Sequence, residues 1–263
     1  MKNRRPDNPV MDLDNFNTDK HTATEKSFIR ELSEAFDRSC LPVAQRLHNF
    51  PRHVRRQDIA RFLAKYELFQ QVLPVNGSIV ECGVYAGGGL AAWLHFSAIL
   101  EPYNHTRRII GFDTFEGFPS VHDNDCAKGT SQHLRAGAFK TSENIQEEIE
   151  TLVELHDRNR PLGHIPKVEL VRGDASKTIP QYIEDHPHVL VSLLYLDFDL
   201  YEPTVTALRE LYARVPSGGI VAFDELNCEE LPGVTTALLE ELGLEDVALR
   251  RFTFDPYIAY FVK

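Results

Sequence analysis

The segment IVECGVYAGGGLAAW, residues 79–93, decides how the chain folds. A short apolar run reaches Glu81, glycines follow at Gly83 and Gly87–Gly89, and small and apolar residues then recur at helical spacing. This pattern predicts a β-strand, a tight turn and the start of an α-helix. Because glycine lets the backbone approach a ligand and a helix N-terminus offers free N–H groups, the turn suits an anionic or carboxylated ligand. The alternative is a glycine turn that only tightens a strand-to-helix connection.

Two cofactor classes fit this turn, and the glycine spacing leaves both open. Gly87, Gly89 and Ala92 match the G-x-G-x-x-G/A pattern of dinucleotide-binding proteins, which would indicate an NAD(P)-linked oxidoreductase. That match is weak, because the pattern expects its first glycine directly at the end of the strand. The series Glu81-x-Gly83-x-x-x-Gly87 instead matches the first motif of class I methyltransferases that use S-adenosylmethionine (SAM). In that motif the turn holds the amino-acid end of the cofactor.

Outward from this segment, short apolar runs alternate with stretches long enough for crossover helices. The runs are SIVECGV, RIIGFD, VELVRGD, SLLYLDFD and GIVAFDE, at residues 78–84, 108–113, 168–174, 192–199 and 219–225. They predict an α/β fold with a mostly parallel sheet that has helices on both faces. The last two runs, LRRFTF and YIAYFVK, have no long helix between them. They predict an antiparallel pair at the C-terminal edge of the sheet.

The chain is predicted to divide into three regions. Residues 1–24 are polar and aperiodic, which indicates a mobile N-terminal arm. Residues 25–73 include EKSFIRELSEAF and RRQDIARFLAKYELFQQVL, whose helical periodicity predicts an N-terminal helical layer. Residues 74–263 form the predicted ligand-binding domain, with a lid at about 119–165. An amphipathic helix is expected in the lid at SENIQEEIETLVELHDRNR, as part of the lid itself or as a dimer face.

Composition limits the possible partners. The 263 residues are 43% apolar and carry a formal net charge of −11, which argues against a protein that binds the phosphate backbone of nucleic acids. The four cysteines show neither metal-site nor redox spacing, and there is no long apolar run for a membrane span or a leader peptide. We therefore expect a cytoplasmic protein without membrane contact. Its expected partners are a small-molecule or glycan acceptor and, in a homo-oligomer (dimer), its own second copy.

Acidic residues lie at the ends of successive predicted strands. In chain order they are Asp113, Asp174, Asp197 with Asp199, and Asp224 with Glu225. Ligands of doubly wound sheets lie outside the carboxyl ends of the strands, so these acids are expected to converge on one crevice. A carboxylate after the second strand suits ribose hydroxyls, and one after the third suits an adenine amino group. Any single one of them has the alternative role of capping the following helix.

The acids of the fourth and fifth strands favour a metal site over a hydride-transfer site. Asp197, Asp224 and Glu225 would form an all-oxygen cluster, which suits Mg²⁺ or another divalent cation. An NAD(P)-linked enzyme does not need such a cluster. Asp199 is placed to accept a proton from a hydroxyl group if the chain leaves the regular strand there, because residues i and i+2 of a strand share one face.

The ordered segments ECGVYAGGG, GFDTFEGFP, LDFDLYEPT and PSGGIVAFDELN, with the closing FDPYIAYFVK, resemble the TylF/NovP/macrocin family of SAM-dependent O-methyltransferases. The resemblance covers roughly residue 62 to the C-terminus. It implies a Rossmann-like class I methyltransferase fold, a divalent metal, and sugar hydroxyls as acceptors, whether on a deoxysugar, a nucleotide sugar, a glycan or a glycosylated natural product. The NAD(P)-linked oxidoreductase is the alternative function.

The resemblance also implies roles for individual residues. Asp197, Asp224 and Glu225 are the implied metal ligands, and Asp199 is the implied general base, with Asp197 beside it in the catalytic group. Better-known members carry two aspartates and an aromatic residue where this chain has Asp224-Glu225-Leu226, so the third ligand is longer here. We expect the acceptor pocket to differ accordingly.

The predicted SAM-binding residues surround the first turn and the next two strand ends. They are Glu81, Gly83, Val84, Tyr85, Gly87, Asp113, Phe115, Asp174, Ala175 and Asp197. Tyr85 and Phe115 are expected to flank the cofactor, although ordinary aromatic packing explains them equally well. A histidine of the lid is the alternative base. The candidates are His122, His133, His156 and His164.

Overall fold

The structure is a computed structural model that describes residues 22–126 and 134–263. Its helices there are α1 (Ala23–Asp37), α2 (Val43–His48), α3 (Arg56–Val72), α4 (Gly88–Leu100), α5 (Ile145–Asp157), α6 (Ala175–Asp185), α7 (Tyr201–Leu211) and α8 (Pro232–Glu241). The strands are β1 (Ser78–Cys82), β2 (Ile109–Asp113), β3 (Val168–Arg172), β4 (Val191–Leu196), β5 (Ile220–Phe223), β6 (Arg250–Arg251) and β7 (Ala259–Val262). Short 3-10 helices occupy Phe50–Arg52, Asp123–Asp125 and Tyr212–Arg214. Most of the predicted N-terminal arm, residues 1–21, lies outside the described residues, as does His133.

Seven strands form one sheet in the order β3-β2-β1-β4-β5-β7-β6. The pairs among β1 to β5 are parallel, and β7 runs antiparallel to both β5 and β6. The predicted α/β fold, its mostly parallel sheet and its antiparallel C-terminal pair are thus confirmed. The strand order reverses between β1 and β4, so the crevice outside the carboxyl ends of these two strands is the expected ligand position.

Both faces of the sheet are covered, which explains why its strands read as continuous apolar runs. On one face Ile79 and Leu193 pack with residues of α3, α4 and α5. On the other face Val80 and Leu194 pack with residues of α6, α7 and α8. Successive side chains of β1 and β4 therefore point alternately into two separate cores, one on each face of the sheet. Packing in both cores holds the strand ends in place.

The N-terminal region is helical, as its periodicity predicts. Thr22 and Glu25 form a capping box, in which the Thr22 side chain accepts from the Glu25 N–H and the Glu25 carboxylate accepts from the Thr22 N–H. Periodicity does not predict α2, because six residues are too few to show it. The boundary between two compact units falls between Arg61 and Phe62, within α3. No helix in the described ranges is both long and apolar enough to cross a membrane.

The amphipathic helix predicted between the second and third parallel strands is α5. The apolar residues of its first half are buried, with Ile145 at 9% and Ile149 at 4% exposure. Its second half is not, because Leu152 and Leu155 are 46% and 48% exposed. The helix itself is confirmed, but only two of the four apolar positions that define its predicted face lie in the core.

A buried arginine ties the end of α3 to the beginning of β1. Arg107 Nη2 donates to the Val72 carbonyl at 3.0 Å, and its Nη1 donates to the Gly77 carbonyl at 3.0 Å. Its Nε lies 3.0 Å from Glu101 Oε1, which balances the buried charge. Since Val72 ends α3 and Gly77 precedes β1, this arginine fixes the helix and the strand to each other.

Candidate active site

The carboxyl edge of the sheet carries four non-glycine residues in the left-handed region of backbone conformation. Tyr85, Phe115, Asp199 and Asn227 have φ angles of 52°, 56°, 63° and 60°, and they follow β1, β2, β4 and β5 respectively. A residue with a side chain is strained in this conformation and keeps it only where the surrounding structure holds it there. Such residues are concentrated at functional sites. These four loops are where the sequence predicts the site.

The connection from β1 to α4 is closely packed at Gly83 and Gly87 and open at Gly88. A Cβ on Gly83 would lie 2.0 Å from the Asp197 carbonyl oxygen, and one on Gly87 would lie 2.9 Å from the Ile149 side chain. A Cβ on Gly88 would meet no described atom within 4 Å. The first two glycines therefore bring protein segments together, and Gly88 marks the face of the turn that is open to a ligand.

Asp113 ties the loop after β1 to the loop after β2. Its Oδ2 accepts hydrogen bonds from the backbone N–H groups of Val84 and Tyr85, both at 2.8 Å. Its Oδ1 accepts from the Phe115 N–H at 2.6 Å. A carboxylate offers about four lone-pair positions, so three of them are occupied by the protein itself. Asp113 thus shapes the predicted cofactor turn, and the described hydrogen bonds use three of its acceptor positions.

The aromatic and small residues of the predicted cofactor set divide by burial. Val84 and Phe115 are buried at 4% and 5% exposure and belong to the core on the α3–α5 face. Tyr85 is 37% exposed, and its ring lies 6.4 Å from that of Phe139 in an edge contact. Phe115 therefore packs as an ordinary core aromatic, while Tyr85 is partly exposed to solvent.

Glu81 lies beneath the turn and is paired with a lysine from α3. Its Oε1 is 3.1 Å from Lys65 Nζ, and the ammonium group also lies 3.6 Å from the centroid of the Tyr195 ring. Burial raises the pKa of the Glu81 carboxyl, and the Lys65 charge opposes that shift. A Cβ on Gly89 would lie 1.9 Å from Glu81 Oε1, so Gly89 makes room for this ion pair under α4.

Asp174 caps the helix that follows β3. It is the N-cap residue of α6, where its Oδ1 accepts from the Ser176 N–H at 3.1 Å and its Oδ2 lies 2.9 Å from Lys177 Nζ. Burial alone would raise the pKa of Asp174, but the bonds from Lys177 and Ser176 outweigh it and lower the pKa. Ala175 is buried as the first residue of the helix. The structure thus gives Asp174 the capping role that the sequence leaves as its alternative.

Three acids converge at the ends of β4 and β5. Carboxylate oxygens of Asp197, Asp199 and Glu225 all lie within 4.8 Å of one another, close enough for a single cation. Strand β4 ends at Leu196, and Asp199 takes the left-handed conformation, so the chain does leave the regular strand after Asp197. The departure expected from the sequence is therefore present, and the carboxylates of Asp197 and Asp199 still lie near one point.

Asp224 lies at the same strand end and makes side-chain hydrogen bonds to both Tyr195 and Glu225. It is 3% exposed, and its Oδ1 accepts from the Tyr195 hydroxyl at 3.2 Å. Burial raises the pKa of Glu225 well above its usual range, and the neighbouring charges of Asp224, Asp199 and Asp197 raise it further. Glu225 Oε2 is buried without a hydrogen-bond partner among the described atoms. A divalent cation fits this donor set, because it would satisfy the buried oxygen and offset the mutual repulsion.

The lid histidines that the structure describes either make ring contacts with other residues or are exposed. The His122 ring stacks on Tyr201 with the ring centroids 4.8 Å apart. The His156 ring is 4.6 Å from that of His95, and burial and the His156 charge lower the pKa of His95. His164 is exposed. The general-base candidate that lies within the acid cluster is therefore Asp199.

Sequence reasoning misses Lys65 and the packing role of Gly89, both of which lie beneath the cofactor turn. Lys65 lies on the same face of α3 as the buried residues Leu68, Phe69 and Val72. A lysine in that position is the available signal, because a charged residue on an apolar helix face is expected to have a buried partner. Gly89 is hidden among three consecutive glycines, and only the position of Glu81 distinguishes its role.

The strand order, the glycine turn after β1 and the acidic strand ends together define the class I methyltransferase fold. Residues 60–240 match the model of the macrocin-O-methyltransferase (TylF) family, and the chain belongs to that family. The resemblance seen in the sequence is thereby confirmed. The match to the dinucleotide-binding pattern is not supported, because its first glycine, Gly87, lies at the start of α4 and not directly after Cys82, where β1 ends.

Two curated relatives are O-methyltransferases according to their names. The chain is 29% identical over 165 residues to the 8-demethyl-8-(2,3-dimethoxy-alpha-L-rhamnosyl)-tetracenomycin-C 4'-O-methyltransferase of Streptomyces olivaceus, covering 57% of this chain and 53% of that protein. It is 30% identical over 185 residues to the demethyldecarbamoylnovobiocin O-methyltransferase of Streptomyces niveus, covering 69% and 64%. The chain thus matches less than two thirds of the length of either relative.

The calicheamicin methyltransferase CalS11 has a similar solved structure over nearly the whole chain. One crystal structure superposes with a TM-score of 0.88 at 34% identity, covering 92% of this chain and 94% of that one. An apo structure, described as a TDP-rhamnose 3'-O-methyltransferase of calicheamicin biosynthesis, gives a TM-score of 0.79 at 31% identity, covering 92% and 96%.

Proposed function

We propose that this protein transfers a methyl group from SAM to a hydroxyl group of a sugar, and that a divalent cation such as Mg²⁺ orients that hydroxyl. The observation that carries the proposal is the convergence of Asp197, Asp199 and Glu225 within 4.8 Å. It occurs at the carboxyl edge of the sheet in a chain of the TylF family. A cluster of hard oxygen ligands beside an open glycine turn suits a reaction between a cofactor and a hydroxyl group.

The cofactor side of the reaction belongs to the start of α4. The backbone N–H groups around Gly88 are at a helix N-terminus, and a Cβ on Gly88 would meet no described atom within 4 Å, so this end of α4 would receive the carboxylate of SAM. Asp113 holds the loop of Val84 and Tyr85 in place and offers its remaining acceptor position to the ribose. These residues would hold the cofactor, whose sulfonium supplies the methyl group for transfer.

The acceptor side belongs to the acid cluster. Asp197 and Glu225 would hold the cation, and Asp224 is the further ligand that the family resemblance implies. A divalent cation supplies a Lewis acid that makes a sugar hydroxyl easier to deprotonate. Asp199 would accept the hydroxyl proton as the oxygen attacks the methyl carbon. The carbon–sulfur bond breaks with its electron pair on sulfur, which leaves a methyl ether, S-adenosylhomocysteine and a protonated Asp199.

The relatives suggest the acceptor class. The name of the tetracenomycin enzyme refers to a rhamnosyl glycoside, and CalS11 is described as acting on TDP-rhamnose. We therefore propose a deoxysugar as acceptor, either linked to a nucleotide or attached to a larger glycoside. The Asp224-Glu225-Leu226 sequence adjoins the acceptor side of the cluster, so it is the part of the site expected to distinguish this acceptor from those of the relatives.

The test is methyl transfer by the purified full chain with SAM, Mg²⁺ and either TDP-rhamnose or a rhamnosyl glycoside. We expect S-adenosylhomocysteine to form together with a sugar product heavier by one methylene group. Chelation with EDTA should stop the reaction while calorimetry still detects SAM binding, and added Mg²⁺ should restore it. Metal affects only the acceptor side in this proposal, which is why the two readouts are expected to separate.

Two results of calorimetry and of the methyl-transfer assay would contradict the proposal, with NAD included as a second ligand in calorimetry. Calorimetric binding of NAD without binding of SAM would overturn the methyltransferase assignment. Undiminished methyl transfer after exhaustive chelation would remove the cation and leave the carboxylates as proton acceptors or as direct ligands of the sugar hydroxyls.

A further inference from the structure

A buried aspartate outside the acid cluster joins three segments of the chain. Asp125, at the end of the 3-10 helix Asp123–Asp125, is 1% exposed. Its Oδ1 accepts from the Tyr201 N–H at 2.7 Å, and its Oδ2 accepts from the His122 N–H at 2.9 Å. Tyr201 is the first residue of α7, so this carboxylate caps a helix that is distant in sequence.

The same carboxylate is pressed against the start of α8. A Cβ on Gly233, in the first turn of α8, would lie 1.9 Å from Asp125 Oδ1 and 2.8 Å from the Tyr201 nitrogen. The absence of a side chain at Gly233 therefore lets one carboxylate sit between the first turns of two helices. Burial raises the pKa of Asp125, and the two backbone hydrogen bonds oppose that shift.

Those two helices follow the two strands that carry the acid cluster. Strand β4 leads through Asp197 and Asp199 to Tyr201, and β5 leads through Glu225 to α8. Tyr201 is also held by a ring stack with His122 and by a hydrogen bond from its hydroxyl to Glu240 of α8. The backbone at Asp199 is held in the left-handed region only two residues before the N–H that Asp125 accepts.

We propose that Asp125 is a positioning residue for methyl transfer: by capping α7 against the start of α8, it fixes the loop of Asp197 and Asp199 relative to the loop of Glu225. The inference rests on the proposed function, because it assigns that geometry a role at the acceptor side. Misplacing reacting groups by about 1 Å costs on the order of 10²-fold in rate, so loss of this tie should be visible in turnover. The cofactor turn lies on β1 and α4, and it should be unaffected.

The experiment compares Asp125→Ala and Asp125→Asn with Asp123→Asn in the full chain. Asp123 lies in the same 3-10 helix but is exposed, so its variant is a matched control. We expect Asp125→Ala to lower kcat/KM for the sugar acceptor by about tenfold or more and to weaken Mn²⁺ binding measured by calorimetry. The SAM dissociation constant should stay within about twofold of wild type. Asp125→Asn should show a smaller loss, since the amide keeps one acceptor oxygen.

A second variant tests the same tie without removing the carboxylate. Gly233→Ala places a methyl group against Asp125 Oδ1 and should reproduce the loss on the acceptor side. In the Asp125→Ala background the same substitution should cost less, because the oxygen it displaces is gone. This non-additivity is expected only if the two residues act through one contact.

The outcomes separate failure of this inference from failure of the proposed function. Wild-type protein that transfers no methyl group to any sugar acceptor while binding SAM contradicts the proposed function. An active wild type whose folded Asp125→Ala variant matches Asp123→Asn in acceptor kinetics and Mn²⁺ affinity overturns the positioning role. Equal losses of SAM affinity and acceptor kinetics would also overturn it, because they indicate general loss of structure. If Asp125→Ala does not fold, Asp125→Asn and Gly233→Ala supply the same comparison.

Discussion

Asp199 is the residue on which the proposed chemistry depends most directly. Its φ of 63° turns the chain out of β4, and its carboxylate meets those of Asp197 and Glu225. A ligand and a base differ in what they contribute: a ligand sets the affinity for the cation, whereas a base sets the rate of proton removal. Substitution by asparagine separates these roles, because asparagine tolerates the left-handed conformation as well as aspartate does.

We expect Asp199→Asn to lower kcat by about 10²-fold or more while Mn²⁺ and SAM affinities stay near their wild-type values, the usual result of losing a positioned base. Asp197→Asn is the control, because a lost metal ligand should weaken Mn²⁺ binding along with turnover. Calorimetry and steady-state kinetics on the two variants make the comparison. Loss of Mn²⁺ affinity in Asp199→Asn would instead make Asp199 a ligand, in agreement with its place in the tightest group of acids.

At the scale of elements, the β1–α4 connection divides its glycines between packing and binding. Gly89 lies against the buried Lys65–Glu81 ion pair, whereas Gly88 faces a space free of described atoms. Adding a side chain at Gly88 is therefore expected to affect ligand binding, whereas adding one at Gly89 is expected to affect stability. The contrast tests whether the turn binds a cofactor or only tightens the connection.

We expect Gly88→Val to raise the SAM dissociation constant by about tenfold or more, which is about 1.4 kcal/mol or more of lost binding free energy. Its free energy of unfolding should stay within about 1 kcal/mol of wild type, because the side chain enters open space. Gly89→Ala should instead destabilise the protein by about 1–3 kcal/mol, as overpacking does. Calorimetry with SAM and urea unfolding check both. Unchanged SAM affinity in a folded Gly88→Val variant would place the cofactor elsewhere.

At the scale of the whole molecule, a buried lysine makes stability depend on alkaline pH. Lys167 is 3% exposed just before β3, and its Nζ donates to the Asn104 carbonyl at 2.6 Å. Burial lowers the pKa of Lys167 from 10.5 to about 8, and the nearby charge of Glu101 only partly offsets this. Between these two values the unfolded chain binds more protons than the folded one, so the free energy of unfolding rises with pH.

Wild-type protein should therefore gain up to about 3 kcal/mol relative to Lys167→Met as the pH rises from about 8 to 10.5. The methionine removes the titrating group but keeps much of the buried side chain. Urea unfolding of both proteins across that range gives the difference at each pH, which cancels the titration of groups they share. Parallel stability curves would mean that Lys167 titrates alike in the folded and unfolded states.

Local pattern was enough to predict the fold and the edge of the sheet at which the acids meet. The apolar runs, the glycine turn after the first strand and the helical periodicities depend on neighbouring residues, and each is borne out in β1 to β5, α1, α3 and α5. The rule that parallel strands end at one edge predicts which acids come near one another. For that reason Asp197 and Glu225 could be named as partners from the sequence although 28 positions separate them.

What only the tertiary structure decided is the direction of each side chain and its competing partners. Asp113 accepts three hydrogen bonds from backbone N–H groups, Asp174 caps α6, and Asp224 accepts a hydrogen bond from the Tyr195 hydroxyl. Asp125 reaches a helix start 76 positions away along the chain. Such contacts leave no periodic signal in the sequence, because they depend on side-chain rotamers and on loops that packing across the sheet brings together. The sequence by itself determined the elements and the edge at which they meet, and the packing of distant segments determined which carboxylate does what there.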